Sequence, residues 1–219
     1  MHSGNVAVQE LAVRLERTPS SVALKLVNFA SLDPDHRRRG VRGMTNVSQL
    51  DRDLWDEYYG RWDVLADADE SDTETESSGM SVSTNTESSA YVRTRRGQQF
   101  FRRTVLAAFG FRCCVTRIAS TDLIRASHII PWAAQDSTRL DPHNGLALNA
   151  LHDAAFDKGL ITFDDELRLL VSDQLRDTAG SPAYEHFFGR YAGAHIDLPE
   201  RFAPLPDYLA YHRNNIFDE

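Results

Sequence analysis

Cysteine is scarce in this sequence, and long apolar runs are missing altogether. The two cysteines among the 219 residues, Cys113 and Cys114, are adjacent. A disulfide between neighbours is strained, so nothing indicates a secreted disulfide scaffold, and a structural zinc knuckle would need a C-x-x-C pair. No signal peptide and no apolar segment long enough to cross a bilayer can be recognised. We therefore expect a cytoplasmic protein with no membrane partner.

Positive charge is missing from residues 63–90, which contain eight acidic residues and no lysine or arginine. This stretch accounts for the whole formal net charge of −8, since the segments on either side nearly balance. With so few apolar side chains it cannot offset the entropy of ordering the chain. We predict a flexible acidic linker over 63–90, between an N-terminal domain, 1–62, and a C-terminal domain, 91–219. An alternative role for the linker is to mimic DNA and compete for the basic patch that follows.

Arginine is concentrated immediately after this stretch. Residues 91–125 contain eight arginines and one acidic residue, Asp122. A local field of this kind steers a polyanion even on a chain that is acidic overall, which predicts contact with DNA phosphates; the alternative is a solvated helix face. The arginines assigned to this contact are Arg93, Arg95, Arg96, Arg102 and Arg103. Arg139 either contacts a phosphate as well or pairs with Asp141.

The N-terminal domain has the pattern of a small all-α domain. Apolar residues recur at helical spacing through "NVAVQELAVRLERTPSSVALKLVNF", where Pro19 suits a first helical turn and Thr18 or Ser20 could cap it. A further helix, "SQLDRDLWDEYYGRW", is capped by Ser48 and is expected to have Leu50, Leu54, Trp55 and Tyr58 on its inner face. Two helices joined by a tight turn are typical of a helix-turn-helix, which predicts DNA binding; the alternative is a helical bundle without a ligand.

The C-terminal domain mixes helices with short strands, which indicates an α+β fold. A helix is predicted over 96–109, followed by extended segments in "FRCCVT" and "DLIRASHII". "NGLALNALHDAAFDKGL" predicts a turn, a short strand and a helix, and "LITFDD" with "ELRLLVS" predicts a β-hairpin that turns at Asp164 and Asp165. Two further helical segments follow.

Three polar residues are set into this framework in the order His, Asn, His. His128 lies in "SHIIPW", Asn144 in "NGLAL", and His152 in "LHDAAFDKG". With these contexts, residues 113–172 resemble the HNH endonuclease family, in the branch found in restriction-type enzymes, whose core is the ββα-metal finger. The resemblance implies a metal-dependent nuclease with DNA as its partner, and a restriction or defence role in a prokaryote or mobile element.

The resemblance also implies a role for each of the three residues. His128 is the general base that deprotonates water, a role that suits the near-neutral pKa of histidine. His152 is the metal ligand. Asn144 holds the loop between the strands, and in some relatives its equivalent touches the metal. One divalent ion completes the site, with Mg²⁺ or Mn²⁺ favoured and Zn²⁺ or Ni²⁺ permitted by a histidine ligand.

Ser127 departs from the family pattern, because many members carry Asp or His there as a second metal ligand. Asp153 and Asp157 are the candidates to replace it, unless water and substrate fill the coordination shell. Each also has a structural alternative, Asp153 as a solvated helix residue and Asp157 as the cap of the next turn.

Other functions could use the same residues. One is an HNH nuclease acting on RNA or structured DNA, and another is a non-catalytic DNA-binding regulator in which Ser127 marks a degraded site. A homodimer would suit double-strand cleavage, because one HNH site nicks one strand.

Overall fold

The structure is a computed structural model that describes residues 2–40, 47–71 and 86–219, with side chains described outside 68–71 and 86–93. The chain divides into two compact units, Met1–Arg61 and Trp62–Glu219, here called the N-terminal and C-terminal units. In the described part of the chain, no helix is both long and apolar enough to cross a membrane.

The N-terminal unit is built from short helices: α1 (Val6–Arg14), α2 (Pro19–Leu32), α3 (Pro34–Arg38) and α4 (Gln49–Tyr58). Thr18 caps α2 by accepting a hydrogen bond from the Ser21 amide, and Pro19 occupies the first turn. Ser48 caps α4 in the same way. The α1–α2 pair encloses a small core of Val8, Ala12, Val22 and Ala23.

Helix α4 buries only part of the face expected from its sequence. Trp55 and Tyr58 are partly buried, but Leu50 and Leu54 are exposed, and Asp51 is only 2% exposed. Lys25 of α2 reaches Asp51 with an Nζ–Oδ1 distance of 2.7 Å, and this contact lowers the pKa of Asp51 against the effect of burial. A buried carboxylate needs such a partner, and the ion pair places Asp51 on the inward face of α4, one turn from Trp55, whose ring stacks on Phe29.

The C-terminal unit begins with two helices, α5 (Trp62–Ser71) and α6 (Thr86–Ala108). Both ends of the predicted flexible linker are therefore helical, while its centre, 72–85, lies outside the described residues. The helix expected over 96–109 also begins ten residues earlier than predicted. Tertiary packing explains the difference, because α5 packs against α6 and the Trp62 ring meets Phe202 edge-on at 5.5 Å.

Two antiparallel strands and a helix follow: β1 (Ile124–His128), β2 (Gly145–Asn149) and α7 (Ala150–Asp157). The register pairs Ile124 with Asn149 and His128 with Gly145. All of β2 is buried, and it runs directly into α7, whose first amides donate to the side chain of Asn149. This connection fixes α7 against the strand pair, so that one helix face can meet the end of β1.

The remaining elements close around this centre. The expected hairpin is formed by β3 (Ile161–Phe163) and β4 (Leu169–Val171), and it is followed by α8 (Asp173–Arg176), α9 (Pro182–Phe187) and α10 (Pro206–Asn215). The larger core joins both strand pairs to α7, with Ile124, Leu146, Phe156, Ile161 and Phe163 fully buried. Helices with two small antiparallel sheets make this an α+β structure, as expected.

Candidate active site

An open cleft of about 600 Å³ lies in the C-terminal unit where α6, β1 and α7 meet. Its polar lining includes Gln98, Arg102, Arg125, Ser127, His128, Asp153, Asp157 and His212. Four of the predicted site residues, Arg102, His128, Asp153 and Asp157, thus share one cleft, whereas Asn144 and His152 are not part of its lining.

His128 lies at the end of β1 with its two ring nitrogens in different surroundings. Nε2 is 3.0 Å from the Arg139 carbonyl oxygen, which can only accept a hydrogen bond, so the proton is assigned to Nε2. Among the described residues none hydrogen-bonds Nδ1. Burial lowers the pKa of His128, and the Arg139 carbonyl only partly opposes this. The ring is therefore neutral near pH 7, with its lone pair on Nδ1.

Asn144 fastens the loop that follows β1. Its side-chain oxygen accepts from the Ile130 amide at 2.8 Å, and its Nδ2 donates to the carbonyls of Ile130 and Thr138 at 3.0 and 3.1 Å. The residue is completely buried, and both amide protons are used. This geometry fits the loop-holding role and leaves the side chain no access to a metal ion in the cleft.

Arg139 belongs to the same loop. Its Nε donates to the Trp132 carbonyl at 2.7 Å, its terminal nitrogen pairs with Asp136 at 2.7 Å, and its guanidinium lies over the Trp132 ring. The predicted partner, Asp141, instead contacts His143 and Tyr208. Arg139 thus closes the loop that presents the carbonyl to His128, and the alternative of a pair with Asp141 is wrong.

Asp153 and Asp157 lie four residues apart on α7 and so share one face of the helix. Burial raises the pKa of Asp153, and the Ser127 hydroxyl with the charges of Arg125 and Arg102 only partly opposes this. Asp157 is exposed at the rim, yet the protein packed around its carboxylate and the charge of Asp153 raise its pKa. The pair is therefore under electrostatic strain that a bound cation would relieve.

Ser127 lies beside this pair. It is 3% exposed, and its Oγ has no hydrogen bond of normal geometry within the described residues, although its approach to Asp153 favours the charged carboxylate. A buried hydroxyl left without such a bond is costly unless a ligand or water supplies one.

Two arginines complete the polar lining. Arg102 of α6 donates to the Ile124 carbonyl at 3.0 Å, which holds its guanidinium over β1. Arg125 precedes Ser127 by two residues in β1, and alternation along a strand places both on the same face. Arg125 was not among the predicted site residues, although its two-residue spacing to Ser127 on a predicted strand carried the signal.

The other predicted DNA contacts are spread along α6. Arg95 and Arg103 are exposed and Arg96 is partly buried, but none of them lines the cleft. Arg93 lies on α6 as well, and its side chain is outside those described.

His152 is turned away from the cleft, contrary to its predicted role as metal ligand. It is fully buried, with Nδ1 2.6 Å from Asn149 Nδ2 and Nε2 2.9 Å from the Phe187 carbonyl oxygen. Asn149 Oδ1 already accepts two backbone amides, so its Nδ2 must donate to Nδ1 and the His152 proton sits on Nε2. Both nitrogens are thus occupied by protein, and His152 ties α7 to the end of α9.

The residues at the cleft fit a small, hard divalent cation. Throughout the described part of the chain, no three His, Cys, Asp or Glu side chains come together as a metal cluster. Mg²⁺ does not need one, because it is often held by one or two carboxylates with water and substrate phosphates. Asp153 and Asp157, with the unpartnered Ser127 hydroxyl beside them, supply such an oxygen donor set. With His152 elsewhere, this donor set favours Mg²⁺ or Mn²⁺ over Zn²⁺ or Ni²⁺.

Comparison with known protein families gives a match within the C-terminal unit. Residues 113–164 match a family model described as HNH endonuclease. The matched stretch contains β1, β2, α7 and β3, together with every residue of the cleft that comes from β1 and α7. No curated protein shows significant similarity to the chain.

Proposed function

Since residues 113–164 match a family model described as HNH endonuclease, we propose that the protein is a metal-dependent endonuclease that hydrolyses phosphodiester bonds in DNA. The observation that supports this most directly is the state of His128. Its Nε2 is anchored on the Arg139 carbonyl, its ring is held neutral by burial, and it shares a cleft with two carboxylates. This is the arrangement that a general base for water needs.

His128 takes a proton from the attacking water at Nδ1. The ring then becomes a cation, and the Nε2–H bond to the Arg139 carbonyl strengthens as the charge forms. A low starting pKa keeps the base unprotonated at neutral pH, and the carbonyl limits the cost of protonating it. Asn144 and Arg139 act on this step only indirectly, because they hold the loop that carries the carbonyl.

Arg102 and Arg125 bind the DNA phosphate group next to the scissile bond. Both line the cleft beside His128, and both carry guanidinium protons beyond those used on backbone carbonyls. Positive charge here also offsets the two aspartates, which would otherwise repel a polyanion. Exposed arginines of α6, such as Arg95 and Arg103, extend this contact along the DNA backbone.

Asp153 and Asp157 are the residues that would hold a divalent ion, with Mg²⁺ or Mn²⁺ the best fit to oxygen donors. When bound, the ion supplies charge neutralisation at the scissile phosphate and at the leaving oxygen. We further propose that the protein serves restriction or defence, and that the N-terminal unit assists in finding or selecting DNA.

Cleavage of supercoiled plasmid tests the proposal. Wild-type protein should nick or linearise the plasmid with Mg²⁺ or Mn²⁺ and not with EDTA, and His128→Ala should abolish cleavage while retaining a gel shift. His186→Ala, at an exposed histidine outside the cleft, is the matched control and should cleave normally. Methylated plasmid, single strands and RNA as competitors distinguish a restriction enzyme from a nuclease of other substrates. Binding without cleavage under every metal condition would indicate the non-catalytic regulator instead.

A further inference from the structure

Helix α6 lies outside the stretch that matches the nuclease family, yet it touches the proposed base directly. The Phe101 ring stacks on the His128 ring with centroids 3.7 Å apart and planes within 9°. Phe101 lies along the cleft wall but is only 1% exposed, so it has almost no surface with which to contact a substrate. Its contact with His128 therefore acts on the base and not on DNA.

The strand opposite His128 has room for this ring only because residue 145 is glycine. Gly145 is the register partner of His128 across the β1–β2 pair. A Cβ at Gly145 would lie 2.4 Å from Val105 Cγ2 and 3.0 Å from Phe101 Cζ. The backbone there is ordinary extended chain, with φ −126° and ψ 143°, so the need for glycine comes from the close approach of α6 and not from the turn.

Three contacts together determine where His128 Nδ1 points. The Arg139 carbonyl holds Nε2 but permits the ring to rotate about that hydrogen bond. Stacking on Phe101 fixes the ring plane, and the Trp132 ring meets His128 edge-on at 5.6 Å. With the direction of Nε2 and the plane of the ring both set, the lone pair on Nδ1 has one orientation.

We propose that Phe101, admitted beside β2 by the missing side chain of Gly145, is a positioning residue that fixes the ring plane of His128 for catalysis. The proposal rests on the proposed function, in which His128 is the base. It makes α6 a functional part of the active site, although that helix precedes the nuclease core in sequence.

Phe101→Leu keeps an apolar side chain and removes the aromatic face. We expect kcat for cleavage of a DNA duplex to fall about 10- to 100-fold, because small errors in the orientation of a base are costly. KM, and the Kd for the same duplex in EDTA, should stay within about twofold, since Phe101 exposes almost no surface to DNA. Phe109→Leu is the matched control: it is the same change one residue beyond the end of α6, at a ring that packs against the core.

The proton NMR chemical shifts of the His128 ring report on stacking by Phe101, and a general packing defect elsewhere would not change them. A ring stacked at 3.7 Å shields the His128 carbon-bound protons, so their resonances, assigned by their loss in His128→Ala, should lie upfield. Phe101→Leu should move them downfield, whereas Phe109→Leu should leave them in place.

Gly145→Ala perturbs the Phe101–His128 contact from strand β2. It provides the test if Phe101→Leu fails to fold. The added methyl group displaces Phe101 or Val105, so kcat should fall as in Phe101→Leu. Gly97→Ala is its control, because a Cβ there meets only the flexible end of Leu140 at 2.8 Å.

Equal kcat in Phe101→Leu and Phe109→Leu, or unshifted His128 resonances in Phe101→Leu, would overturn the positioning role. Failure of the proposed function gives a different result, namely normal cleavage by His128→Ala or no metal-dependent cleavage by the wild type.

Discussion

Among single residues, three histidines of the C-terminal unit show how neighbours decide the role of one side chain. His128, His152 and His212 each place Nε2 within 3.1 Å of a carbonyl oxygen, on Arg139, Phe187 and Phe156 in turn. They differ at Nδ1. In His152 this nitrogen is hydrogen-bonded to Asn149 and in His212 to Thr162, whereas in His128 it has no hydrogen-bond partner among the described residues. Only His128 therefore retains a nitrogen that can take up a proton in the cleft.

His212 should make the fold sensitive to acid. Burial lowers its pKa to about 4, from 6.5 in an exposed histidine. The unfolded chain thus takes up this proton near pH 6.5 and the folded protein only near pH 4, so stability is complete above pH 6.5 and is lost on acidification between these values. The expected loss is on the order of 3 kcal/mol at pH 4.

Urea unfolding from pH 7 to pH 4 measures this effect. His212→Gln, which cannot be protonated, should show a shallower loss of stability with acid than wild type, and the exposed His186→Gln should not. Parallel pH curves for wild type and His212→Gln would show that His212 does not carry the acid sensitivity.

Asn144 offers a test that separates a loop fastener from a metal ligand. Asn144→Asp replaces two donated hydrogen bonds with a carboxylate facing the carbonyls of Ile130 and Thr138. We expect a loss of about 2–4 kcal/mol in the free energy of unfolding, because buried acceptors then face each other. Metal affinity measured by calorimetry should not change, whereas a ligand at this position would bind the ion more tightly as Asp.

Among secondary-structure elements, α7 has one face that lines the cleft and another that packs in the core. Asp153 and Asp157 face the cleft, and His152 faces the core on the opposite side. Asp153→Asn and Asp157→Asn should each weaken Mn²⁺ binding at least about tenfold, since each removes a charged oxygen ligand. His152→Ala should leave Mn²⁺ affinity unchanged and lower stability by about 2–4 kcal/mol, because it opens a cavity and strands the Phe187 carbonyl.

Calorimetry with Mn²⁺ and urea unfolding measure the two quantities, and Asp173→Asn, on the exposed helix α8, is the control for loss of a carboxylate. If His152→Ala bound Mn²⁺ more weakly while keeping the stability of the wild type, His152 would be a metal ligand.

Local signals predicted those elements whose causes are local. Thr18 with Pro19 begins α2, Ser48 begins α4, and the hairpin turns beside Asp164, because caps and turns depend on a few adjacent residues. The direction of His152 depends on the Phe187 carbonyl, 35 residues away, and the helices at both ends of 63–90 depend on packing against other parts of the C-terminal unit. Such long-range contacts leave no trace in spacing or composition. The order of the motif residues therefore placed His152 on the correct helix but could not show that Asn149 and Phe187 occupy both of its ring nitrogens.

On the scale of the whole molecule, charge is segregated so strongly that the net value misleads. The formal charge is −8, yet 91–125 carries eight arginines with one acidic residue. Local positive charge next to the cleft should therefore dominate the binding of DNA, whose affinity falls with salt according to the number of phosphates neutralised.

Arg102 and Arg125 should each account for about one unit of this salt dependence. Arg102→Gln and Arg125→Gln should reduce the slope of log K against log salt by about 1 each, measured by fluorescence anisotropy in EDTA with a duplex of mixed sequence. Arg176→Gln, at an exposed arginine paired with Asp173 outside this region, should keep the wild-type slope. If all three variants shared the wild-type slope, DNA would be held by other parts of the chain, and the arginines of the cleft would act only on the reacting phosphate, through kcat.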